Sequence, residues 1–146
     1  MDIKAVTSDL LFDNCSIRKM EIVNDAISLT MSEKMTLGLG AETEYLGVSN
    51  DRHHAVVTMQ IDVEAVRESD KSTSFIKTTI EGRFSADSSL DQDDFYKKAT
   101  LNGSAALYSV ARGKIDAITG AVFANGKIDI PFVNFIEYYK ESSKNE

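Results

Sequence analysis

The stretch Val57-Thr58-Met59-Gln60-Ile61-Asp62-Val63-Glu64-Ala65 decides the fold class. Every second residue is apolar and those between are polar or charged, the pattern of a strand with one buried face and one wet face. Ile76, Thr78, Ile80, Gly82 and Phe84 repeat the period, interleaved with Lys77, Thr79, Glu81 and Arg83. The connector Arg67-Glu68-Ser69-Asp70-Lys71-Ser72 is short and polar, so the two runs are expected to pair as an antiparallel hairpin.

Towards the N-terminus, Met20 and Ile22 alternate with Lys19 and Glu21, and Met35, Leu37 and Leu39 alternate with Thr36, Gly38 and Gly40. These runs read as a first and a second strand. Gly38 and Gly40 point to a bulge or a close backbone approach. Leu37-Gly38-Leu39-Gly40 is no nucleotide loop, because the third glycine and a following helix are missing. Asn50-Asp51-Arg52 reads as the turn into the third strand.

Beyond Phe84 the period changes. Ser89-Leu90-Asp91-Gln92 has the form of a capping box, and a second helix start is read near Leu101-Asn102-Gly103-Ser104. Leu107, Val110, Ala111, Ile115 and Ile118 then fall at helical spacing, with Arg112, Lys114 and Asp116 turned outward. Gly120 is placed to end the helix in a left-handed cap. Residues 121–130, with an Asn125-Gly126 turn, are expected to form an irregular loop. Pro131, the only proline, forces Ile130 to be extended. Asn134 caps a short last helix reciprocally with Glu137, and Phe135 and Tyr139 can stack on one face of it. Residues 140–146 have little to anchor them and are expected to fray. Four strands followed by helices imply an α+β fold: a four-stranded antiparallel sheet with C-terminal helices packed on one face.

The 146 residues fit a single domain spanning 1–146, long enough to bury its own core without a metal or disulfide staple. Acidic residues exceed basic ones by 23 to 16, a net charge of −7 that repels phosphate backbones and argues against a nucleic-acid partner. Cys15 is the only cysteine, which suits a reducing compartment. Met1-Asp2-Ile3-Lys4-Ala5 lacks the basic head and apolar run of a signal peptide, and no stretch approaches membrane-spanning length. A cytoplasmic protein with no membrane insertion is expected.

No catalytic constellation is visible. His53-His54 has no further ligand at a metal-binding spacing, and Cys15 has no evident base. Asp91, Asp93 and Asp94 form a carboxylate cluster, but helix N-termini favour acidic residues for dipole reasons alone. The expectation is a non-enzyme with no cofactor and no metal.

The run Leu107-Tyr108-Ser109-Val110-Ala111-Arg112, then Ile115, Thr119 and Gly120, then Ile130-Pro131-Phe132-Val133-Asn134-Phe135, resembles the signature of the SecB-like chaperone family. In that family a helix with a Leu-Tyr-…-Ala-Arg core leads through a loop to a Leu-Pro-…-Asn-Phe segment that opens the last helix. Gly82-Arg83-Phe84-Ser85 is similar to the family's Gly-x-Phe strand end. The chain departs from the pattern at Ser109, where proline is common, and at Phe132, where a small residue or second proline is usual.

The resemblance implies a holdase without catalysis. It implies a homotetramer, a dimer of dimers, that holds unfolded polypeptide clients in apolar grooves and hands them to the SecA motor for protein export. Carried onto this chain, the implied groove lining is Leu37, Leu39, Phe123, Ile128, Ile130, Phe132, Phe135 and Tyr139. The SecA-docking acidic face would be Asp62, Glu64 and Glu81, which here share the wet face with Lys19, Lys77 and Arg83. That mixture, with the departures in the motif, leaves open a dedicated adaptor guarding one partner, such as an antitoxin or a phage or plasmid protein.

Overall fold

The structure, a computed structural model, describes residues 9–145. The N-terminal pentapeptide and Glu146 lie outside the described residues. Four strands come first: β1 (Leu11–Asn24), β2 (Glu33–Ser49), β3 (Arg52–Arg67) and β4 (Thr73–Asp87). They form one antiparallel sheet in the order β1-β4-β3-β2. The hairpin read from the sequence is its centre, and β1 and β2 are its two edges.

The alternation decides which face is buried. Val57, Met59, Ile61, Val63 and Ala65 are all at most 2% exposed, as are Ile76, Thr78, Ile80 and Phe84 across the ladder. Side chains of period two must all turn to the same face, so burying one buries the set. Gly82 lies under the helices, and a Cβ there would meet Leu107 Cδ1 at 3.0 Å and Phe84 Cε2 at 3.1 Å. Only glycine allows the helix to settle that closely on β4.

The β2–β3 turn consists of Asn50 and Asp51 alone, both left-handed at φ 53° and 58°. Two such residues give the turn twist that matches right-handed strands, and Asn and Asp tolerate the conformation best after glycine. Gly38 and Gly40 pair regularly with Asp62 and Gln60, so the bulge expected there does not form. The register instead shifts between Tyr45 and Gly47, where Gly47 has φ 94°.

Residues 25–32 carry the chain from one sheet edge to the other, a distance of roughly 14 Å at about 4.8 Å per strand. Arg67, in the polar connector, holds this crossover. Its guanidinium donates to the carbonyls of Ala26 and Ser28 and lies 3.5 Å from the buried carboxylate of Glu33.

Helix α1 (Gln92–Lys98) runs through a π-helical turn at Ala99–Gly103 into α2 (Ser104–Val122). The two helix starts expected from sequence are thus one start. Asp91, not Ser89, caps it by accepting from Asp94 N at 3.2 Å, while Ser89 N is taken by Asp87 Oδ1 at 2.9 Å. The buried face of α2 is Leu107, Tyr108, Ala111, Ile115 and Thr119. Leu107, Ala111 and Ile115 are buried as expected, while Val110 is exposed and Ile118 half-buried, with Tyr108 and Thr119 in the buried face instead.

Gly120 does not cap the helix. α2 continues to Val122 and ends where Phe123 turns extended, at φ −78° and ψ 142°. After the irregular segment 123–134, α3 (Phe135–Lys144) closes the fold. Asn134 caps it as expected, accepting from Ile136 N at 3.1 Å and Glu137 N at 3.3 Å, but the Glu137 carboxylate turns to Lys140 instead. The tail expected to fray from residue 140 is helical through Lys144. The helices lie on the sheet's apolar face, giving the α+β architecture.

Candidate peptide-binding site

A chain segment without regular structure must satisfy its carbonyls some other way. Segment 123–134 does so on α2. Tyr108 donates its hydroxyl to the Pro131 carbonyl, and Arg112 Nε donates to the Ile130 carbonyl at 2.8 Å. The Arg112 guanidinium also lies 3.9 Å from the centre of the Phe132 ring, a cation–π contact. Two turns further on, Thr119 Oγ1 donates to Ile115 O at 2.7 Å and accepts from Ile128 N at 2.9 Å, all of it buried. Burial raises the Tyr108 hydroxyl above its ordinary pKa. The two halves of the resemblance motif are therefore mechanical partners. Leu107 and Ala111 face the sheet, while Tyr108 and Arg112 clamp the proline segment.

The expected groove residues divide sharply. Phe123, Ile128, Ile130 and Phe135 are buried in the main core and present no surface to a client in this conformation. Ile130 and Ile128 alternate with exposed Asp129, so this irregular segment still has one face in and one face out. Leu37, Leu39 and Tyr139 are half-buried at the margin of the same core. Phe132 alone among the eight is largely free, at 84% exposed.

Other exposed apolar residues were not expected. Met31 is 99% exposed, and Ile27, Ile136 and Met35 are more than 40% exposed. An apolar residue in the polar run Thr30-Met31-Ser32 was the available signal for Met31. Ile136 follows the buried Phe135, so the helical period alone placed it outside.

These residues border shallow hollows. One of about 440 Å³ lies between α1 and α3, lined by Tyr96, Leu101, Ile136 and Tyr139 among others. A second of about 460 Å³ lies between the crossover and the loop, lined by Leu29, Met31, Met35 and Gly126. A third of about 620 Å³ straddles the free edge of β2 at residues 41–44, beside Tyr96, Thr100 and Tyr139. Tyr139 is held there by a 2.7 Å hydrogen bond with Ser104 Oγ.

Asp62, Glu64 and Glu81 do lie on the sheet's other face, but cations divide them. Asp62 stands opposite Lys77, Glu64 opposite Phe75, and Glu81 pairs with Arg83 at 3.4 Å. The imidazole of His53 has structural partners. His53 is buried, with Nδ1 2.8 Å from Tyr45 Oη and Nε2 2.7 Å from the Leu90 carbonyl, and its ring stacks on Phe95. Among the described residues, no group of three His, Cys, Asp or Glu side chains is placed to hold a metal ion, and no helix is long and apolar enough to cross a membrane.

The fold is that of a SecB-like chaperone. The SecB-like chaperone Rv1957 of Mycobacterium tuberculosis, solved in complex with a ChAD peptide from the Rv1956 HigA1 antitoxin, superposes with a TM-score of 0.61 over 85% of this chain and 90% of that one, at 12% identity. A protein of unknown function from Streptococcus agalactiae superposes with a TM-score of 0.58 over 84% of this chain and 97% of its own, at 10% identity. No family profile and no curated protein sequence matches the chain. The likeness is one of fold rather than of sequence.

Proposed function

We propose that this protein is a non-catalytic holdase that binds extended, unfolded polypeptide along its exposed apolar rim. The observation that carries the reading is Phe132. A phenylalanine 84% exposed, yet fixed by Arg112 and by a doubly anchored backbone, is surface kept ready for contact rather than left over from folding. Burial of such apolar surface contributes about 25 cal/mol per Å² without demanding a sequence, which suits clients of many kinds. Leu37, Leu39 and Tyr139, half-buried at the margin of the core, add apolar surface to the rim. Phe123, Ile128, Ile130 and Phe135 support it from below.

The second reading is a dedicated adaptor guarding a single partner. The antitoxin peptide bound to the structural neighbour Rv1957 favours it, and so does the charge-divided wet face. On that face Asp62, Glu64 and Glu81 offer SecA no continuous acidic patch, so export through SecA is the weaker branch of the holdase reading. A tetramer built as a dimer of dimers belongs to either branch, and so does a cytoplasmic location.

The test is suppression of aggregation. Stoichiometric protein is expected to keep a denatured reporter enzyme in solution, and Phe132→Asp to lose most of that protection while staying folded. Phe123→Asp is not a usable variant, because a charge placed in the core tests folding instead. Full protection by a folded Phe132→Asp variant would remove the observation on which the reading stands. Pull-downs with and without SecA separate export from adaptor, and light scattering reads the oligomer.

A further inference from the structure

The chain contains two Asn-Gly pairs, Asn102-Gly103 and Asn125-Gly126, and the fold treats them oppositely. Such a pair can modify itself, because glycine puts no side chain in the way when its amide nitrogen approaches the asparagine carboxamide. Asn102-Gly103 lies in the π-helical turn, where Gly103 is buried against the Phe84 ring at a helical φ of −64° and ψ of −44°. Its N–H is committed to the hydrogen bonding that defines the turn. Asn125-Gly126 lies instead in an exposed turn, with Gly126 at φ 85°. There the Asn125 carboxamide and the Gly126 N–H have no hydrogen-bond partner among the described residues. Both reacting groups are free to meet at this turn, as they are not in the helix.

We infer that Asn125 is a self-modification site, converting to isoaspartate and releasing the crossover from the loop to which it is stitched. The Gly126 amide nitrogen gives its proton to solvent base and attacks Asn125 Cγ. The N–Cγ bond forms, the Cγ–Nδ2 bond breaks, and ammonia leaves with a proton from solvent. Water then opens the succinimide, and nothing is oxidised or reduced. Cleavage at Cγ leaves an ordinary aspartate, while cleavage at the main-chain carbonyl leaves isoaspartate, whose backbone runs through Cβ and Cγ and is one carbon longer. In that product the carbonyl that accepted from Leu29 has become a side carboxylate. The neighbourhood has no room for the longer backbone: even a Cβ added to Gly126 would lie 2.9 Å from Leu29 Cβ. Two bonds stitch the segments here, Leu29 N to Asn125 O and Ala124 N to Ile27 O, each 2.9 Å. Ile27 and Met31 both hold a left-handed φ of 67°, costly for a β-branched residue and kept only while the surroundings impose it. Losing the stitch removes part of that restraint and widens the hollow of Leu29, Met31 and Met35.

The protein is aged in mildly alkaline buffer, once folded and once unfolded in urea. Tryptic peptides spanning 99–112 and 115–127 are then followed by mass and by methyl transfer from an isoaspartyl carboxyl methyltransferase. In the folded protein 115–127 is expected to convert at least about tenfold faster than 99–112, since ring closure needs the nitrogen at near-attack distance from Cγ. In urea the two rates converge. Equal rates in the folded protein, or no isoaspartate in 115–127, overturn the inference, and neither result depends on a variant that has to fold. The Leu29 amide is expected to exchange about tenfold faster in the isoaspartate form, through loss of its hydrogen bond. Asn125→Asp, which supplies the charge without the extra carbon, keeps the exchange of the fresh protein, and Asn125→Gln stays unmodified. Unchanged exchange at Leu29 in the isoaspartate form overturns the release of the crossover.

Discussion

Replacing Arg112 by alanine removes three contacts at once, and their sizes differ enough to be separated. The Nε bond to the Ile130 carbonyl is 2.8 Å long and charge-assisted, from a side chain 22% exposed. Such bonds contribute about 1.5–3 kcal/mol, and partial exposure places this one at about 1.5. The guanidinium 3.9 Å above Phe132 adds about 0.5–1 kcal/mol, because the ring is itself exposed. The ion pair to Asp129, at 3.7 Å with a partner 74% exposed, contributes next to nothing. Arg112→Ala is therefore expected to cost about 2–2.5 kcal/mol, a fall of about 4–10 °C in Tm for a chain of this size. Arg112→Lys keeps the charge but not the planar fork, so it recovers less than half of the loss. Urea unfolding of Arg112→Ala, Phe132→Ala and the double variant isolates the ring contact, with an expected coupling of about 0.5–1 kcal/mol. A total loss below about 0.5 kcal/mol with no coupling would refute the clamp, and Phe132 would then be an ordinary exposed side chain.

Three further outcomes follow from the same reasoning. Thr119→Val leaves the buried Ile128 N–H without the hydroxyl that accepts it at 2.9 Å, and is expected to cost about 1–3 kcal/mol by urea unfolding, while Thr119→Ser is nearly neutral. Gly126→Ala places a Cβ 2.9 Å from Leu29 Cβ at a φ of 85°, so both strain and overlap oppose it; a loss above about 2 kcal/mol is expected, with faster amide exchange at Leu29, whose N–H bonds to Asn125 O at 2.9 Å. The Asp70 carboxyl is held at about 2, against an ordinary 3.8, first by the hydroxyl and N–H of Ser72 and then by Arg67. A depressed folded pKa stabilises above the unfolded value and is lost on acidification, so the urea midpoint is expected to fall between about pH 4 and pH 2 and to fall less in Asp70→Asn.

The regular elements were readable because their signals are local. Alternation in β3 and β4 needs only neighbouring residues, and every apolar position it marked is buried. The caps were half readable. Ser89 and Asp91 are both capable N-caps two positions apart, and it is Asp91 that caps, while the Ser89 N–H bonds to Asp87 in the preceding loop. Gly120 looked like a stop, yet the helix ran on until Phe123 could turn its ring into the core. The groove was hardest to read, since segment 123–134 has no long period to separate its inner from its outer apolar residues. Phe123 and Phe132 are alike in composition and context, and only the sheet and α2 beneath them decide that one is core and the other surface.

The sequence by itself determined an antiparallel hairpin, a sheet with one apolar face, and helices to cover it, because period two and period three-and-a-half are properties of a chain with its own neighbours. It also carried the Leu-Tyr-…-Ala-Arg and Ile-Pro-Phe segments as separate marks. Only the tertiary structure decided that these marks clamp each other, that Arg67 anchors a crossover from one sheet edge to the other, and that the Asn125-Gly126 turn packs on that crossover. Each of those depends on which distant segments come together. No local period encodes that, and burial of the whole apolar face against a single layer of helices is what selects it.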